Sequence, residues 1–119
     1  MEPDESLYMI LWEFYIQTGS ESRFEQVYGS DGDWVRLFER AKGYIGTELH
    51  RDSEDKRRYV TMDFWASQQA YESFRERWSE EYEMLDRTCE SLIEREAPLG
   101  SFLRLGGSKR PGRHSGRRA

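Results

Sequence analysis

Tyr8-Met9-Ile10-Leu11-Trp12-Glu13-Phe14-Tyr15-Ile16 is the stretch whose reading decides the fold. Side chains alternate across a strand, so Tyr8, Ile10, Trp12, Phe14 and Ile16 share one face, and Met9, Leu11, Glu13 and Tyr15 share the other. Both faces are largely apolar, and a strand of that kind has to be covered on both sides. The turn signal Gln17-Thr18-Gly19-Ser20 closes it.

Two helical stretches supply one cover. Thr18 and Glu21 have capping-box spacing, Ser20 is an alternative cap, and Phe24, Val27 and Tyr28 form the apolar stripe that follows. Gly29 and Gly32 interrupt it. Gly is unfavourable inside a helix by about 1 kcal/mol relative to Ala, so the pair predicts a kink with a hollow beneath it. Trp34, Leu37, Phe38 and Ala41 then resume helical spacing, with Gly43 beyond the end. The glycines lack the Gly-Lys-Ser/Thr ending of a phosphate loop, so they shape the chain and do no chemistry. Ser67 caps a second helix with the stripe Ala70, Tyr71, Phe74, Trp78, Tyr82, Leu85 and Cys89, and Ser79 allows a bend near Trp78.

Between the helices, Tyr44–Arg51 and Arg57–Trp65 read as a hairpin across the charged turn Asp52-Ser53-Glu54-Asp55-Lys56. Val60, Met62 and Phe64 make one face of the third strand, and Tyr59, Thr61, Asp63 and Trp65 the other. Leu92–Glu96 is a short final strand ended by Pro98, with Leu99–Phe102 docking after it. The order strand, helix, strand, strand, helix, strand is the α+β, ferredoxin-like βαββαβ arrangement, an antiparallel sheet with helices on one face. The second cover of the first strand is then another copy of the chain, which makes a homodimeric α/β barrel.

At 119 residues the chain makes one domain. We place it at residues 7–104, between a flexible segment 1–6 and a disordered basic tail 105–119. Six Phe, seven Tyr and four Trp give a modestly hydrophobic chain enough area for a core. No window approaches a membrane span and the acidic start Met1-Glu2-Pro3-Asp4-Glu5 is unlike a signal peptide, so a cytoplasmic protein with no membrane contact is expected. The single Cys89 excludes an internal disulfide and a Cys-cluster metal site. Five of the eighteen basic residues lie in the tail, leaving thirteen against twenty-three acidic ones, a body near −10 that repels nucleic acid.

Several groups of residues match one template: Ile10-Leu11-Trp12-Glu13-Phe14, Phe24 through Tyr28, Gly32-Asp33-Trp34, Leu37-Phe38 and Gly43 through Leu49. So do Arg58-Tyr59, Asp63 with Trp65 and Ser67, Ala70-Tyr71, Phe74, and Tyr82 with Leu85-Asp86. Together, over about residues 7–103, they resemble the antibiotic biosynthesis monooxygenase-like family of dimeric α/β barrels. The family's haem-degrading members need a strand Asn, a helical Trp and a helical His. This chain has no Asn, Phe74 stands at the Trp position, and neither His50 nor His114 lies on the second helix, so that chemistry is not expected here.

Its polyketide-oxidising members use a Trp ending the third strand and a Tyr early in the next helix, which Trp65 and Tyr71 match; Thr61 stands where those members carry Asn. The resemblance implies a cofactor-independent monooxygenase, with neither cofactor nor metal, acting on an aromatic polyketide-type molecule. The alternative is a non-catalytic barrel that binds an aromatic ligand or assists a biosynthetic enzyme. The candidate catalytic set is Trp65, Tyr71, Asp63 as base, and Thr61 as hydrogen-bond donor; Trp12, Trp34, Phe38, Tyr59 and Phe74 are the candidate pocket. Glu48 and His50 share a strand face and invite an acid–base reading, but make too few ligands for a metal.

Overall fold

The computed structural model describes residues 7–108; the acidic N-terminal segment and the basic tail beyond 108 lie outside the described residues. The strands are β1 (Tyr8–Ile16), β2 (Tyr44–Arg51), β3 (Arg58–Trp65) and β4 (Ile93–Leu103), and the helices are α1 (Glu21–Tyr28), α2 (Asp33–Phe38), α3 (Gln68–Arg77) and α4 (Ser79–Cys89). The strands form one open antiparallel sheet in the order β2-β3-β1-β4, the ferredoxin-like arrangement. Among the described residues no helix is long and apolar enough to cross a membrane.

The core lies between the helices and one face of the sheet. Phe14 and Ile16 of β1, Tyr59 and Trp65 of β3, Phe24 of α1, Leu37 and Phe38 of α2, and Phe74 of α3 are buried there. Edge-on and tilted ring contacts tie the elements together: Phe24 lies 4.8 Å from Tyr59, and Phe38 5.5 Å from Trp65. Aromatic pairs of this kind add roughly 0.5–1.5 kcal/mol each beyond the area they bury.

The expected kink is a full break. α1 ends at Tyr28 and α2 starts at Asp33, with Gly29 and Gly32 both in extended backbone. Neither glycine needs a positive φ; close approach demands them. A Cβ on Gly32 would run into the Val27 carbonyl and stand 2.5 Å from the Gln26 oxygen, and one on Gly29 would stand 2.6 Å from Glu25 O. The second helical stretch also divides at Trp78, while Ser67 caps α3 by accepting from Ala70 N at 3.0 Å.

The final strand is longer than its sequence suggests. β4 runs through Pro98 to Leu103 because it is an edge strand and Leu99 bulges out opposite Leu11 and Trp12, where a missing ladder donor is tolerated. Gly100, at φ +128°, takes the backbone conformation this irregularity requires.

Among the described residues no helix covers the other sheet face. Register places Met9 and Leu11 beside Phe64 and Met62, with Phe102 and Val60 flanking them. Phe102 is 47 % exposed, although its neighbours on the face are apolar.

Candidate functional site

A cavity of about 110 Å³ opens between the sheet and the helices. Ile10, Trp12 and Phe14 of β1 form one wall and Thr61 and Asp63 of β3 the next. Trp34 and Phe38 of α2 and Tyr71 and Tyr82 of α3 and α4 close it from the helical side. The break at Gly29–Gly32 is what turns α2 so that its rings face the sheet.

The polar end is built by a bulge. Tyr44 pairs with Trp65 and Gly46 with Phe64, so Ile45 is an extra residue, and Tyr44 and Thr47 emerge on the same face of β2. Thr47 lies opposite Asp63 and its hydroxyl donates to Asp63 Oδ1 at 2.7 Å. With that proton committed, Tyr44 is the donor in its own 2.7 Å bond to Thr47 Oγ1. Burial pushes Asp63 up to about 6, against a smaller opposite pull from the Thr47 bond. The residue is half-buried by surface area because it lines the cavity, yet its carboxylate is removed from bulk water.

Tyr71 is set by Arg75, which donates to the Tyr71 hydroxyl at 3.1 Å and lies 3.9 Å over the Tyr82 ring. The Tyr71 oxygen accepts that bond, so its own proton is free to be donated elsewhere. Burial pushes the Tyr28 and Tyr82 phenols well up, keeping them protonated at neutral pH. Among the described residues Trp34 Nε1 is buried without a hydrogen-bond partner, near the Tyr28 hydroxyl and the Cys89 thiol. Among the described residues no group of three His, Cys, Asp or Glu could hold a metal ion.

Of the residues singled out from sequence, Trp12, Trp34, Phe38, Thr61, Asp63 and Tyr71 stand on the cavity wall. Three do not. Tyr59 shares a strand face with Thr61, but its hydroxyl donates to Glu25 Oε2 at 2.6 Å over a separate polar hollow near the hairpin. Its distance along the strand from Asp63 carries it past the end of the cavity. Phe74 is buried, 5.4 Å from Phe38, in the core behind the wall.

Trp65 has no exposed surface; it stacks edge-on behind Tyr71 and Phe38, and its Nε1 has no hydrogen-bond partner among the described residues. Glu48 and His50 do bond, at 2.9 Å, but β3 register places them beside Met62 and Val60 on the open sheet face, away from the cavity. Sequence reasoning missed Thr47, Glu96 and Asp86 as wall residues. For Asp86 a signal existed, since it follows Tyr82 by one helical turn. For Thr47 the bulge conceals it.

Residues 7–82 match the antibiotic biosynthesis monooxygenase family. The chain belongs to that family. No curated protein matches it in sequence. Among solved structures it is similar to SnoaB, a cofactor-independent oxygenase from Streptomyces nogalater, at 17 % identity and TM-score 0.67, covering 86 % of this chain and 96 % of SnoaB. It is also similar to PA3566 from Pseudomonas aeruginosa, at 16 % identity and TM-score 0.63, covering 85 % and 96 %. A conserved protein from Methanosarcina mazei Go1 shares the fold at only 8 % identity, with TM-score 0.66 and coverage of 86 % and 96 %. At such identities these likenesses concern the fold alone.

Proposed function

We propose that the protein is a cofactor-independent monooxygenase of an aromatic, polyketide-type small molecule, working as a homodimer. The observation that carries this reading is the Asp63 carboxylate, desolvated on an aromatic wall and held by Thr47 within reach of the cavity. A base with a pKa near 6 is ionised at neutral pH and still basic enough to take a proton from an acidic phenol or anthrone. Asp63 removes that proton, and Tyr71 and Thr61 donate to the resulting oxyanion. The electron-rich anion then reduces O₂: one oxygen atom enters the ring as a carbonyl and the other leaves as water with the two hydrogens lost. The substrate supplies every electron.

Trp65 acts from behind the wall, holding Tyr71 and Phe38 in place. Homodimerisation is supported by the apolar sheet face around Leu11 and Met62, which lacks a cover among the described residues. An oxygen electrode tests the reading with anthrones and naphthohydroquinones as substrates. Uptake of one O₂ per substrate, lost in Asp63→Asn and Tyr71→Phe, is expected. Calorimetric binding of the same compounds with no uptake would sink the oxygenase reading and favour a ligand-binding barrel, the role to which Thr61, with its single hydroxyl in place of an amide, also points.

A further inference from the structure

The cavity wall carries three carboxylates, Asp63, Asp86 and Glu96, and among the described residues no Lys, Arg or His. Glu96 comes from β4 opposite Phe14, and Asp86 from α4 one turn beyond Tyr82. Neither has an ion pair among the described residues. Arg75 lies over the Tyr82 ring, bonds the Tyr71 hydroxyl and interacts electrostatically with Asp86, but it is not itself one of the wall residues. Asp86 and Glu96 are themselves exposed, so they line the cavity from its solvent side; desolvation, then the charges of Asp86 and Glu90, push Glu96 up.

A second feature points to a ligand. Thr61 is 95 % buried, being 5 % exposed, lies on the wall, and its hydroxyl makes no hydrogen bond among the described residues. Its hydroxyl oxygen is not fully enclosed by protein, which places it toward the cavity space. A buried hydroxyl left open beside aromatic rings is what a polar atom of a bound ring system would satisfy.

We propose that the cavity takes an aromatic ligand bearing a protonated amine and discriminates against aromatic carboxylates. The ring lies among Trp12, Trp34 and Phe38, and the ammonium sits between Asp86 and Glu96. This rests on the reading of the cavity as a small-molecule site and adds the charge of its occupant. Two carboxylates facing a cavity attract a cation and repel an anion, while the apolar wall is indifferent to either.

Calorimetry on the full chain at low salt, with naphthylmethylamine, naphthalenemethanol and naphthoate, separates ring from charge. The amine should bind about tenfold tighter than the alcohol, and the carboxylate about tenfold more weakly. In the double variant Asp86→Asn/Glu96→Gln both gaps should shrink to about twofold, with affinity for the alcohol unchanged. Equal affinities for the three probes, or gaps that survive the double variant, overturn the charge selection and leave the aromatic cavity standing. Failure of all three to bind overturns both.

Discussion

At Asp63 a carboxylate accepts one hydrogen bond, from Thr47, and otherwise faces rings and cavity space. Its folded pKa, about 6, lies above the ordinary value of 3.8. Between those pH values the folded chain holds a proton that the unfolded chain has lost. Stability contributed by this group is therefore present below pH about 4 and declines as pH rises through about 6. Asp63→Asn keeps an acceptor for Thr47 and removes the buried charge. It should stabilise the protein at pH 7 by about 1–3 kcal/mol, with the gain vanishing near pH 4, as read by urea unfolding at both values.

The same substitution should lower turnover at least about 100-fold, and wild-type kcat/KM should fall about tenfold per pH unit below about 6. A rate that stays flat to pH 4.5 would remove Asp63 as the base. At Tyr71 the loss of the hydroxyl in Tyr71→Phe should lower kcat more than it raises KM, because donation to an oxyanion strengthens as charge develops.

At the scale of elements, two backbone irregularities place the site. The Gly29–Gly32 break turns α2 toward the sheet, and packing against the carbonyls of Gln26 and Val27 leaves no room for a methyl at position 32. Gly32→Ala should cost about 2 kcal/mol or more and lower Tm by roughly 10 °C, with ligand affinity falling alongside. Calorimetric melting checks it; an unchanged Tm would show that α1 and α2 can separate without cost. The bulge at Ile45 brings Tyr44 and Thr47 to one face, a juxtaposition that strict alternation forbids. Its one local signal is Gly46, since a glycine inside a strand often marks a bulge, but which residue is extra is set by pairing with β3. The hairpin itself was legible from its charged turn, as was the α3 cap from Ser67.

For the whole molecule, the open sheet face is the largest feature the single chain leaves unexplained. Met9, Leu11, Val60, Met62, Phe64 and Phe102 form a continuous apolar strip. Covering it with a second copy would remove that strip from water at about 25 cal/mol per Å² of apolar area. Size-exclusion chromatography with light scattering should therefore give twice the chain mass of 14.2 kDa at micromolar concentration. Met62→Lys at the centre of the strip should shift the protein to monomer while keeping its secondary structure by circular dichroism. A wild-type monomer would show that the face has another occupant.

The sequence by itself determined the class of the fold and its element order, and it sorted the side chains of β1 and β3 into their two faces. Alternation, capping and turn chemistry are local, and each can be read within a few residues. It also singled out Asp63, Thr61 and Tyr71 without knowing what they meet. Only the tertiary structure decided that Tyr59 bonds Glu25 beyond the cavity, that Trp65 lies wholly behind the wall, and that Thr47 holds Asp63. Those facts depend on register, a bulge and the angle between helices. Such features follow from how distant segments pack, and a face assignment along one strand carries no information about where a cavity begins or ends.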